Sequence, residues 1–224
     1  MKPLAIDLCC GLGGWTEGLI AEGYRVIGYD IEAHEYGDER FKSRLDALET
    51  AFTKLTGRSP ILLAGMTPTT VDPKIVAAAA NAGHWAELAG GGQVTEQIFA
   101  DNVEKLTGLL EPGRAVQFNS MFLDPYLWKL HVGGRRLVPK ARAAGAPFDG
   151  VVVTAGIPEL EDAVSIIEDL VEGGFSYVAF KPGTVAQIRS VIRIANEVPS
   201  FPVIAHIEGG RAGGHHSWED LDGL

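Results

Sequence analysis

Six short apolar runs recur along the chain, and their rhythm constrains the fold more than any other feature. They occupy residues 61–64, 85–88, 115–118, 150–154, 177–180 and 202–207, and each leads into Gly, Pro or Thr. Between them lie stretches with helical spacing of apolar residues, at 73–82, 95–110, 129–144, 160–172 and 185–198. A strand apolar throughout suits a parallel sheet covered on both faces, and an interval of about 25 to 35 residues is that of successive βα units. The chain is therefore expected to be α/β, with about six βα units forming an incomplete TIM-type (β/α) barrel. A doubly wound open sheet has the same pattern, and periodicity alone does not choose between them. In either case the polar and glycine-rich motifs follow the carboxyl ends of strands, where such folds keep their sites.

The first residues have a different grammar. An apolar run at 4–8 enters a glycine turn at Gly11, Gly13 and Gly14, a helix-like stretch follows at 16–21, and a second run at 24–29 meets Asp30. Strand, glycine turn, helix, strand and acid make a short Rossmann-like β-turn-α-β fragment. The stretch 34–44 then crowds Glu35, Asp38, Glu39, Arg40, Lys42 and Arg44 together with few large apolar side chains. Three parts are expected: a nucleotide-binding-like fragment at 1–37, a linker and lead-in helix at 38–58, and a partial barrel at 59–224.

Composition narrows the function classes. With 46% hydrophobic and 21% charged residues among 224, the chain is that of a compact domain rather than a disordered one. Its net charge of −10 offers no basic stripe for phosphates, which argues against a nucleic-acid partner. The two cysteines, Cys9 and Cys10, are adjacent, so they build neither a disulfide framework nor a spaced metal site. No metal is expected. No apolar run approaches the roughly 20 residues that span a bilayer, so a cytoplasmic protein without a membrane partner is expected.

The densest chemical signal is Glu208-Gly209-Gly210-Arg211-Ala212-Gly213-Gly214-His215-His216-Ser217. Four glycines within six positions imply a backbone that must approach a ligand closely, with amides free for an anion or a planar ring. Histidines beside it can give or take a proton near neutral pH. Further motifs stand at the other strand ends: Leu63-Ala64-Gly65-Met66-Thr67-Pro68, Glu87-Leu88-Ala89-Gly90-Gly91-Gly92, Gln117-Phe118-Asn119, Thr154-Ala155-Gly156 and Phe180-Lys181-Pro182-Gly183. In this order they resemble the flavin-dependent enoyl-reductase domain of fungal and mycobacterial-type fatty acid synthases, which is related to nitronate monooxygenase-like flavin barrels. The resemblance covers about four fifths of the chain, from near Phe41 onward.

That resemblance implies reduction of a trans-2-enoyl thioester on an acyl carrier domain, with NADPH reducing FMN and other synthase domains as partners. It implies that Gly65, Met66 and Thr67 line the flavin ring, that Asn119 bonds its polar edge, and that Gly156 allows close approach. It also implies that Lys181 sets a positive charge near the part of the ring that becomes anionic on reduction. Gly209, Gly213 and Gly214 would face the cofactor, and His215, rather than His216, would handle the proton. Asp124, Tyr126 and Trp128 are expected to shape a loop rather than touch substrate. Because a full barrel needs two more βα units and their loops commonly hold the cofactor phosphate, an open arc short of part of its FMN site is expected.

Asp7-Leu8-Cys9-Cys10-Gly11-Leu12-Gly13-Gly14, with Asp30 beyond, resembles instead the first cofactor motif of S-adenosylmethionine-dependent DNA cytosine methyltransferases. Two other readings therefore stay open at this point: a methyltransferase fragment, and a non-catalytic truncated or mis-joined segment.

Overall fold

The computed structural model describes residues 4–8, 25–29 and 52–209. Near the N-terminus, β1 (Leu4–Leu8) and β2 (Arg25–Tyr29) pair in parallel, Leu4 opposite Arg25 and Leu8 opposite Tyr29. These are the two strands expected of the first fragment. Its glycine turn and Asp30, and residues 38–51 of the linker and lead-in helix expected at 38–58, lie outside the described residues.

The six apolar runs each become a strand: β3 (Ser59–Leu63), β4 (His84–Ala89), β5 (Val116–Met121), β6 (Phe148–Thr154), β7 (Tyr177–Phe180) and β8 (Val203–Ala205). All neighbours are parallel, and their order in the sheet is their order in the chain. A doubly wound sheet reverses its strand order at a switch point. No reversal occurs here, so the sheet curls as a half-barrel, compatible with an incomplete barrel.

The intervening helices are α1 (Pro73–Asn81), α2 (Glu96–Leu109), α3 (Pro125–Trp128), α4 (Leu137–Ala143), α5 (Leu160–Glu172) and α6 (Val185–Glu197). Their starts are written locally: Asp72, Thr95, Asp124 and Thr184 each accept a backbone N–H from the first turn, which satisfies amides that have no helical partner. Each helix also carries an apolar stripe. In α5 it is Ala163, Ile167 and Leu170, and in α6 Ile188, Val191 and Ile194, all buried.

The single helix expected over 129–144 is instead interrupted. A π-helical turn, Lys129–Gly133, is followed by Gly134 in a non-helical conformation and Arg136 at φ 57°, and only then by α4. The reason is a close contact. A Cβ on Gly133 would stand 2.6 Å from the Trp128 indole nitrogen, so this turn is shaped by packing of glycine on the ring.

Side chains alternate across the sheet. Ala86, Leu88, Phe118, Val151, Val153, Val178 and Phe180 face the helices and build the main core with Val76, Leu106, Ile167 and Ile194. The other face carries a smaller apolar cluster of Phe52, Trp85, Val152, Tyr177 and Ala179. Residues 52–56 are helical, and Phe52 lays its ring 5.7 Å from Trp85, which stacks at 5.3 Å on Tyr177. Aromatic burial of this kind supplies a large apolar area to a face that holds few other hydrophobes.

Candidate functional site

Two polar networks share this inner face, one toward each end of the strands. Toward the amino ends, Arg58 donates to Asp149 Oδ2 at 2.5 Å, to the Tyr177 hydroxyl at 2.5 Å and to the Ala115 carbonyl at 2.8 Å. Gln117 Nε2 donates to Asp149 Oδ1 at 2.8 Å and to the Tyr177 oxygen at 3.0 Å. Burial above all, with Asp149 adding to it, pushes the Tyr177 phenol up, so it stays protonated. This network closes the floor of the half-barrel.

Toward the carboxyl ends the centre is Glu87, a fully buried carboxylate in β4. Its Oε2 accepts the Gly65 backbone N–H at 2.7 Å and the Asn119 Nδ2 at 2.8 Å, and its Oε1 accepts the Trp85 indole N–H at 3.0 Å. His206 Nδ1 lies 3.5 Å from Oε1, longer than a good hydrogen bond, and that nitrogen has no other partner among the described residues. Burial by itself would raise the carboxyl's pKa. The His206 contact, the Lys181 charge and the Asn119 amide outweigh burial and bring it from 4.5 down to about 2. Glu87 is therefore an anion at neutral pH.

Around this anion the strand-end loops pack without room for side chains. A Cβ on Gly65 would meet Asn119 Nδ2 at 2.5 Å, and one on Gly90 would meet the Asn119 carbonyl oxygen at the same distance. Gly91 lies against Thr67 Oγ1, and Gly92 against Val71. Behind them His131 is fully buried against Phe118, its Nε2 2.8 Å from the Gln93 carbonyl. A carbonyl only accepts, so the proton sits on Nε2. Burial lowers the pKa of this ring, which acts as a neutral strut for the 90–93 turn.

The residues singled out from the sequence fall as follows. Gly65, Met66 and Thr67 form the loop after β3, over Glu87, with Asn119 beside Gly65. Gly156 follows β6 at φ 123°, where Leu123 covers it. Lys181 is buried rather than solvated: its side chain is 3% exposed, and Nζ lies 2.8 Å from Glu208 Oε1. It is a paired cation, not an isolated one. Gly209 ends the described chain beyond β8, whereas Gly213, Gly214, His215 and His216 lie outside the described residues. Asp124 caps α3, the Tyr126 hydroxyl donates to the Val94 carbonyl, and Trp128 packs edge-on against Phe122, so this trio shapes a loop as expected.

Sequence reasoning missed the roles of Glu87, His206 and Glu208. For Glu87 a signal existed, since a lone carboxylate within the apolar run of β4 has to find buried donors. Among the described residues no group of three or more His, Cys, Asp or Glu side chains could hold a metal, and no helix is long and apolar enough to cross a membrane.

Fold and site together define a parallel α/β half-barrel with glycine loops and a buried anion at the carboxyl ends of its strands. No family model matches the chain. Over 188 residues, 83% of its length, it is 38% identical to the fatty acid synthase subunit beta of Saccharomyces cerevisiae. It is 39% identical over 190 residues to a fatty acid synthase beta subunit of Monascus ruber, and 41% over 176 residues to one of Emericella nidulans. Each match takes up about 9% of the relative's length, so the chain corresponds to one small segment of these subunits. These similarities support a type I fatty acid synthase region over some four fifths of the chain.

Proposed function

We propose that this region is the enoyl-reductase part of such a synthase, holding FMN over the carboxyl ends of the strands. The observation that carries the reading is the Gly65–Asn119–Gly90 cradle. There Gly65 after β3 packs on the Asn119 side-chain amide and Gly90 after β4 on the Asn119 main-chain carbonyl, each too closely for any side chain, leaving backbone and one amide to meet a flat ligand. When bound, FMN would take a hydride from NADPH and deliver it to the β-carbon of a trans-2-enoyl thioester presented by an acyl carrier domain.

Each residue then has a defined task. Gly65 to Thr67 would lie along one side of the ring, and Asn119 would offer its amide oxygen to the ring's polar edge. Lys181, held in place by Glu208, would supply a buried positive charge for the electron-rich edge, and Gly156, covered by Leu123, would shape the β6 side through that contact. The resemblance assigns the proton for the α-carbon to His215. The names of the relatives concern fatty acid synthesis and lend nothing to methyl transfer.

The test is reduction of a short trans-2-enoyl thioester by NADPH, with the full chain and added FMN, under anaerobic conditions. The reading requires saturated thioester in step with NADPH consumed. NADPH oxidation without saturated product, or no turnover while FMN is bound, would refute it.

A further inference from the structure

The buried carboxylate of Glu87 has a consequence for what the cradle can recognise. An ionised carboxylate has only acceptors, and Glu87 is kept ionised in the folded chain. The side-chain atom that Asn119 turns toward it, at 2.8 Å, must therefore be the NH2 group. The amide orientation is fixed by charge and is not free to follow the ligand. The other end of the amide, Oδ1, receives no hydrogen bond among the described residues, and it is absent from the buried unpartnered atoms. It is thus an unpaired acceptor that is not wholly buried, in a residue 4% exposed.

The same oxygen of Glu87 also holds the Gly65 N–H at 2.7 Å, so one atom ties the β3 loop and the β5 amide together. The Trp85 indole at 3.0 Å on Oε1 holds the carboxylate itself in plane. Three donors from three strands or strand-end loops leave the anion one arrangement. We infer that Glu87 is a positioning residue that presents the side-chain Oδ1 of Asn119 to the ligand, so that the cradle selects a planar ring with an N–H at its edge. This rests on the flavin reading above, and for a flavin the group selected is the ring N3–H. A ring blocked at that nitrogen would cover this acceptor without pairing it, and an amide pinned by Glu87 could not turn over to compensate.

The test compares dissociation constants of FMN and N3-methylated FMN, read by flavin fluorescence on the full chain and on Glu87→Met. Methionine keeps the volume and removes both acceptors. The expected preference for FMN in the unaltered chain is about tenfold or more, from one hydrogen bond whose acceptor the blocked ring would cover and leave unpaired, collapsing to within about twofold in Glu87→Met. Undiminished preference in a folded Glu87→Met overturns the inference. Should that variant not fold, Glu87→Gln is read instead. Its one remaining oxygen serves either Trp85 or the Gly65–Asn119 pair, so the preference should fall at least about threefold, and an unchanged value overturns the inference. Failure of the unaltered chain to bind either flavin refutes the flavin reading alone. The positioning role is then decided on the ligand-free chain by hydrogen exchange of the Asn119 side-chain amide. Protection lost on replacing Glu87 supports it, and protection retained refutes it.

Discussion

The floor and the mouth of the half-barrel are built from similar material and do different work. Both are buried polar clusters on the inner face of one sheet, each centred on a charged residue. At the floor, Arg58 meets Asp149, Tyr177 and a backbone carbonyl, and Gln117 closes the ring, leaving Gln117 Oε1 as the buried orphan. At the mouth, Glu87 is equally well supplied, yet Asn119 offers an unused acceptor next to loops that admit no side chain. A buried charge network is therefore not itself a sign of function. What separates the two is that the unpaired amide oxygen is wholly buried at the floor, whereas at the mouth it is not and stands beside the glycine loops.

Breaking the floor should show the largest effect on stability and the smallest on the mouth. Arg58→Met leaves the half-buried Asp149 without its cation and the Tyr177 hydroxyl and Ala115 carbonyl without their donor, and should cost about 3 kcal/mol in chemical denaturation, with FMN affinity at the mouth changed less than about twofold where the variant is folded. The mouth's own charge is tested by pH. Because folding depresses the Glu87 pKa from 4.5 to about 2, its contribution is fully present above pH 4.5 and lost as pH falls toward 2. That contribution is on the order of 3 kcal/mol, and Glu87→Gln should flatten this part of the stability profile.

Gly65→Ala separates ligand recognition from folding. The added methyl meets Asn119 Nδ2 at 2.5 Å, so stability should fall by about 1–3 kcal/mol while FMN affinity falls by about tenfold or more. A variant that binds FMN as the unaltered chain does would remove the cradle from the account. The smallest effect belongs to the rim: Tyr126→Phe deletes an exposed hydrogen bond to Val94 and should change stability by less than about 1 kcal/mol, as a thermal melt would show.

Strand positions were legible in the sequence because each run is apolar over the length of a buried strand, and α1, α2, α5 and α6 were legible from the helical spacing of their apolar residues. The choice of half-barrel over doubly wound sheet was not, since both share one periodicity and only strand order separates them. The break near Gly134 escaped as well, because it depends on a glycine meeting the Trp128 ring. Asn119 and Gly65 could be marked as site residues from motifs, but their mutual contact could not. Asn119 lies 32 residues from Glu87, and Arg58 lies 91 from Asp149, so only the folded sheet brings either network together.

The central claim is that the Gly65–Asn119–Gly90 cradle is a flavin site, and a fluorescence titration of FMN with the full chain tests it most directly. The account predicts saturable quenching of flavin emission that is weakened about tenfold or more by Gly65→Ala. Emission that stays proportional to added FMN, as for the free flavin, would contradict it.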